Sequence, residues 1–232
     1  MKTFAAVSVL AAANLLNNRV APRLAPLTSV AATAALLHLA RDCDRAEIGF
    51  HTPARGAVIG GALAAAVLAG YAGGVALPHT RPLLHDERAL SLSRVRLAEE
   101  ALVQVPLGTV LLEEVAFRGV LPALLARSLG PRTAVATSAA MFGLWHVLPA
   151  FDMARANPAL SGAGGRTGST RLVVGTVAGT AAAGLLFHEL RRRGGLLAPA
   201  LLHVATNSLG FVAARAARRL TRRQERRNSQ SG

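Results

Sequence analysis

Cysteine, tryptophan, tyrosine and lysine each occur once in this chain, and aromatic residues together make up only 4% of it. A lone Cys43 excludes an internal disulfide framework. The shortage of Phe and Tyr argues against an ordinary soluble core, where large aromatic side chains supply much of the buried area. Charge is scarce as well. Only 16% of residues are Asp, Glu, Lys or Arg, against about 25% in a typical soluble domain. Gly-x-Ser-x-Gly is missing, which removes the nucleophile elbow of many serine hydrolases. His188-Glu189-Leu190-Arg191-Arg192 begins like a zinc-protease motif, but Arg192 stands where its second histidine belongs.

Small apolar residues fill the space. Hydrophobic residues reach 52% and mean hydropathy is +0.38, carried mainly by Ala, Leu, Val and Gly. Small side chains let helices approach closely in lipid, where packing drives association. The net charge of +14 is almost all arginine. These arginines flank apolar runs, where they anchor spans and bias topology; this placement speaks for a lipid bilayer as partner and against nucleic acid. The expected class is all-α: a polytopic helical membrane protein in one domain, 1–232.

About seven apolar segments can be read from the sequence: Thr3–Leu16, Leu24–Ala40, Gly56–Leu77, Ala101–Ala126, Thr133–Ala150, Leu172–His188 and Leu196–Ala217. The first is short of the roughly 20 residues that a span needs, yet a second apolar run follows at once, which favours a span over a signal peptide. Gly60, Gly61, Gly70, Gly73 and Gly74 in the third, and Gly175 and Gly179 in the sixth, have the spacing of close helix contacts. Pro106 and Pro122 are expected to kink the fourth. A polar linker, Pro78–Arg96, and a Gly/Ser/Arg-rich loop, Asn157–Ser169, join segments. The basic tail, 218–232, is expected to be disordered at the membrane surface. Strict alternation puts linker, loop and tail on one side, and their arginine content makes that side cytoplasmic. The membrane would be the plasma membrane.

Three segments hold ionisable groups where they are costly. A charge at the centre of a span costs about 2.5–3.5 kcal/mol on the insertion scale. In Leu111-Leu112-Glu113-Glu114-Val115-Ala116-Phe117-Arg118, Glu114 and Arg118 are i and i+4 and can pair. Glu113 points about 100° away and has Phe117 at that spacing. This predicts a structural Glu114 and a reactive Glu113. Phe142 and His146 share one helix face, as do His203 and Asn207. Taken singly, each histidine reads as a satisfied core residue or interhelical glue. Together these groups call for one wet cavity between spans. Glu113 and His146 could hold and deprotonate a water, while His203 and Asn207 donate to a developing oxyanion. A zinc site made of Glu113, His146 and His203 is the rival. A non-catalytic scaffold and a transporter with Glu113 as proton site are further alternatives.

Glu113-Glu114-x-x-x-Arg118-Gly119, Phe142-x-x-x-His146 and His203-x-x-x-Asn207, in this order, resemble the three motifs of the CAAX-protease and bacteriocin-processing (CPBP, or Abi) family of intramembrane proteases. The Gly-Leu-Leu-Ala-Pro run before His203 is similar too. The resemblance covers about Ala101–Ala217, the motif-bearing core. It implies an all-α intramembrane endopeptidase acting on a peptide or membrane-protein substrate near one membrane face. Carried over, it implies water activation by Glu113 with His146, an oxyanion hole from His203 and Asn207, and Arg118 holding Glu114. It favours a glutamate-type mechanism that needs no cofactor, with a metal-dependent version as the alternative. Some members trim prenylated C-terminal peptides; bacterial relatives are linked to peptide maturation or bacteriocin immunity.

Overall fold

A computed structural model describes residues 1–156 and 165–230, and no strand occurs among them. Helices α1 (Lys2–Leu15), α2 (Ala25–Leu39) and α3 (Pro53–Ala76) are followed by the short α4 (Glu87–Ser91). The long α5 runs unbroken over residues 94–129. Then come α6 (Pro131–Trp145), α7 (Val147–Ala156), α8 (Gly165–Gly194) and α9 (Leu197–Gln230).

Among the described residues, four helical stretches are long and apolar enough to cross a membrane: Pro53–Ala76, Pro131–Ala156, Thr167–Gly194 and Leu197–Gln230. Their exposure is as telling as their hydropathy. Only 6% of the most apolar window of α3 is buried, and 11% of the Thr167–Gly194 window. Val58, Leu68, Val174, Leu185 and Leu186 stand on the outside. Apolar surface on this scale is at equilibrium against lipid, not water. At 14 and 15 residues, α1 and α2 fall short of the roughly 20 residues that a perpendicular span takes.

α5 is the axis of the molecule. It contains two stretches of wide, π-type turns, Glu100–Val110 and Val115–Val120. Pro106 lies inside the first; it has no N–H to give and its ring crowds the preceding turn, a conflict that a widened turn relieves. α2 docks there through Ser29, whose hydroxyl donates to the Gly108 carbonyl at 2.6 Å. α5 ends at Gly130, whose φ of 74° suits a residue without Cβ. Pro131 then opens α6, where a missing N–H costs nothing. The tight reversal lays α6 back along α5, and Ser138 Oγ donates to the Phe117 carbonyl at 2.7 Å.

α8 packs on α6 and α9 packs on α3. The glycines that permit this are only partly those that the spacing suggested. A Cβ on Gly143 would sit 2.5 Å from the Val177 carbonyl oxygen, and one on Gly60 2.8 Å from that of Ala198. Gly61, Gly70, Gly73, Gly175 and Gly179 instead face open space. Spacing puts glycines on one face of a helix, but it does not say whether a neighbour lies against that face.

Polar connections gather at two rims. On one, Lys2 pairs with Asp42, Arg127 donates to the Asp42 carbonyl, and Arg191 reaches the Ala46 and Glu47 carbonyls. The hydrogen bond from Lys2 holds the Asp42 carboxyl below the usual carboxylate range. On the other, Arg19 meets Asp152 at 2.8 Å, Arg81 meets Gln224 at 3.1 Å, and Arg215 reaches the Leu92 carbonyl. α9 stays helical through the basic residues to Gln230. Its Arg, Gln and Glu residues are good helix formers, and a helix already nucleated in the span extends cheaply. Of the expected loop Asn157–Ser169, residues 157–164 lie outside the described residues, and residues 165–169 already belong to α8.

Candidate active site

A cavity of about 750 Å³ opens between α5, α6, α8 and α9, and Glu113, Phe142, His146, His203 and Asn207 all line it. All four residues singled out for chemistry therefore share one space.

Glu113 is only 3% exposed. One oxygen, Oε1, accepts a hydrogen bond from the Trp145 indole Nε1 at 2.8 Å. The other, Oε2, has no hydrogen-bond partner and lies 3.7 Å from His203 Nε2. A buried acceptor without a partner is costly, and a cavity that admits water or a peptide removes that cost.

Glu114 turns to a different set of neighbours, as its helical angle requires. Its Oε1 lies 3.3 Å from Arg118 Nη1 and 2.8 Å from His203 Nδ1. Arg118 is 1% exposed, and its guanidinium carbon lies 3.8 Å above the Phe142 ring centroid and 4.8 Å from that of Phe187. Two π faces and one carboxylate thus neutralise a cation that none of them could hold alone. Phe142, expected to share a face with His146, also seats the arginine.

His146 owes its orientation to Pro149. α6 ends at Trp145, and His146 adopts φ −86°, ψ 2° before α7 begins. Its backbone N–H turns to the Gly143 carbonyl, and its ring Nδ1 lies 2.8 Å from the Phe142 carbonyl oxygen. A carbonyl only accepts, so Nδ1 carries a proton and Nε2 is the nitrogen that can accept in the neutral ring. On α9, His203 is 6% exposed and Asn207 follows one turn later on the same face.

Several contributors escaped the sequence reading. Trp145, the neighbour of His146, binds Glu113. His203 binds Glu114 across 89 positions, a link that no local pattern encodes. Glu100 and Gln104 line the cavity one turn apart on α5. Among the described residues, no group of three His, Cys, Asp or Glu side chains is arranged to hold a metal ion. Glu113, His146 and His203 share the cavity without forming such a set.

Apolar helices that enclose buried carboxylates, histidines and an asparagine define a multi-pass membrane protein with a hydrolase-like site. Residues 100–209 match the family described as type II CAAX prenyl endopeptidase Rce1-like, over the same stretch in which the three motifs resemble the CAAX-protease and bacteriocin-processing family. No curated protein and no solved structure matches it.

Proposed function

We propose that the chain is an intramembrane endopeptidase that hydrolyses a peptide bond with water activated by Glu113 and His146. The observation that carries this reading is the buried, partnerless Glu113 Oε2 on the wall of a cavity shared with His146, His203 and Asn207. The water gives its proton to Glu113 while the bare Nε2 of His146 accepts its second hydrogen bond. Its oxygen adds to the scissile carbonyl carbon. The resulting oxyanion takes hydrogen bonds from His203 Nε2 and the Asn207 amide. For Nε2 to donate while Nδ1 donates to Glu114, the imidazole must carry both protons. The proton on Glu113 then passes to the leaving nitrogen, the C–N bond breaks, and a carboxylic acid and an amine depart.

Seven crossings of the plasma membrane fit this scheme. The linker touches the tail through Arg81 and Gln224, which supports placing these two on one side, read as cytoplasmic. α1 and α2 then cross a bilayer thinned at that point. The substrate class follows the family description: a prenylated peptide with a CAAX-type end.

The test is cleavage of a fluorogenic prenylated CAAX peptide by the purified chain in detergent. Wild type is expected to cleave it with or without a chelator, and Glu113→Gln to lose at least about 100-fold in kcat. Chelator-sensitive cleavage would move the chemistry to a metal. Full activity in Glu113→Gln would overturn the mechanism.

A further inference from the structure

The chain's single tryptophan sits where the general base must be aimed. Trp145 Nε1 donates to Glu113 Oε1 at 2.8 Å, which fixes the carboxylate plane and leaves Oε2 as the oxygen free to meet water. The indole is itself held. Phe117 packs edge-on against it, with ring centroids 5.5 Å apart.

The backbone of Trp145 is held from further away. In a continuing helix its carbonyl would accept from the N–H four residues on. That residue is Pro149, which has no N–H. The orphaned carbonyl instead accepts from Asn14 Nδ2 on α1 at 3.0 Å. α1 is fixed in turn by its Ala6, Leu10 and Ala13 face, which is buried in the same core as Leu121 and Leu124. A helix that lies outside the matched residues 100–209 therefore reaches the site through one amide.

We infer that Trp145 is a positioning residue for Glu113, and that Asn14 holds Trp145 in place from the N-terminal helix. This inference rests on the hydrolase reading above. Removing the indole donor while keeping a flat ring lets the Glu113 carboxylate rotate, so the chemical step slows while substrate binding persists. Misaligning a reacting group by a fraction of a bond length costs on the order of 10- to 100-fold in rate.

The test uses the full chain and has two arms. In the first, UV resonance Raman reads the hydrogen-bond-sensitive N–H band of the only indole. Glu113→Ala is expected to shift that band to its unbonded position, and Asn14→Ala to shift it part of the way. In the second, Trp145→Phe is expected to lower kcat about 10- to 100-fold with KM nearly unchanged. Asn14→Ala lowers kcat in the same sense, and the double variant is no slower than Trp145→Phe, because both act through one contact. Trp145→His, which retains a ring N–H, is expected to restore part of kcat. An unchanged indole band in Glu113→Ala overturns the inference, as does wild-type kcat in Trp145→Phe. So do additive losses in the double variant, which would detach Asn14 from Trp145. If wild type cleaves nothing, the hydrolase reading fails by itself, and the indole band still decides whether Trp145 holds Glu113.

Discussion

Arg118 shows how one residue can be both costly and indispensable. Its guanidinium is buried with the Glu114 carboxylate and the rings of Phe142 and Phe187 around it. Removing it breaks the buried pair and leaves the Glu114 carboxylate with His203 alone, a loss of about 3–5 kcal/mol. Arg118→Ala is therefore expected to lower the thermal unfolding midpoint sharply, whereas Glu113→Gln unfolds close to wild type because its site already faces a cavity. Equal melting of the two variants would contradict this division of labour. Half of that division was legible in the sequence. The i, i+4 spacing gives the Glu114–Arg118 pair, and the 100° offset separates Glu113. The bond between His203 and Glu114, and the indole on Glu113, join residues far apart in the chain, so no helical period announces them.

At the scale of elements, breaks matter as much as helices. Pro149 ends α6 early, turns the His146 ring back toward Phe142, and frees the Trp145 carbonyl. Pro149→Ala returns the missing N–H, so α6 is expected to run on through His146; helix content rises or holds while kcat falls. Circular dichroism and the cleavage assay, run on one preparation, check both halves of that expectation. Gly143 has a comparable role in packing. A Cβ there would meet the Val177 carbonyl at 2.5 Å and Ala181 Cβ at 3.0 Å, so Gly143→Val is expected to cost roughly 1–3 kcal/mol by pushing α8 off α6. Gly175→Ala, with open space around it, should leave the melting point unchanged or raise it. The spacing in the sequence marked Gly175 as a helix contact and did not rank it against Gly143. Only the placement of α8 against α6 does so.

At the scale of the whole molecule, the two polar rims imply a topology. Cys43 is the only cysteine, so a Cys43→Ser background permits labelling at single introduced thiols. Ser91, Ser229 and Arg45 are all exposed. In sealed, oriented vesicles, Ser91→Cys and Ser229→Cys are expected to react with an impermeant maleimide from one side, and Arg45→Cys from the other. Reaction of Ser91→Cys and Ser229→Cys from opposite sides would break the seven-crossing arrangement. The cavity belongs to the first side, since Asp86, Arg88 and Arg96 of the linker also line it.

The sequence by itself determined the apolar surroundings, the all-helical class and the short list of candidate site residues. Those follow from local quantities: hydropathy summed over a helix, the 3.6-residue period, and the cost of placing charge in an apolar run. It also carried the family resemblance, through three short motifs in order. It did not determine how far the tail stays helical, which glycines meet a neighbour, or which partners each ionisable group takes. Those were settled by tertiary structure, because a contact between α5 and α9, or between α1 and α6, depends on how helices close around a common cavity. Burial then forces each polar atom to accept whatever partner that closure provides.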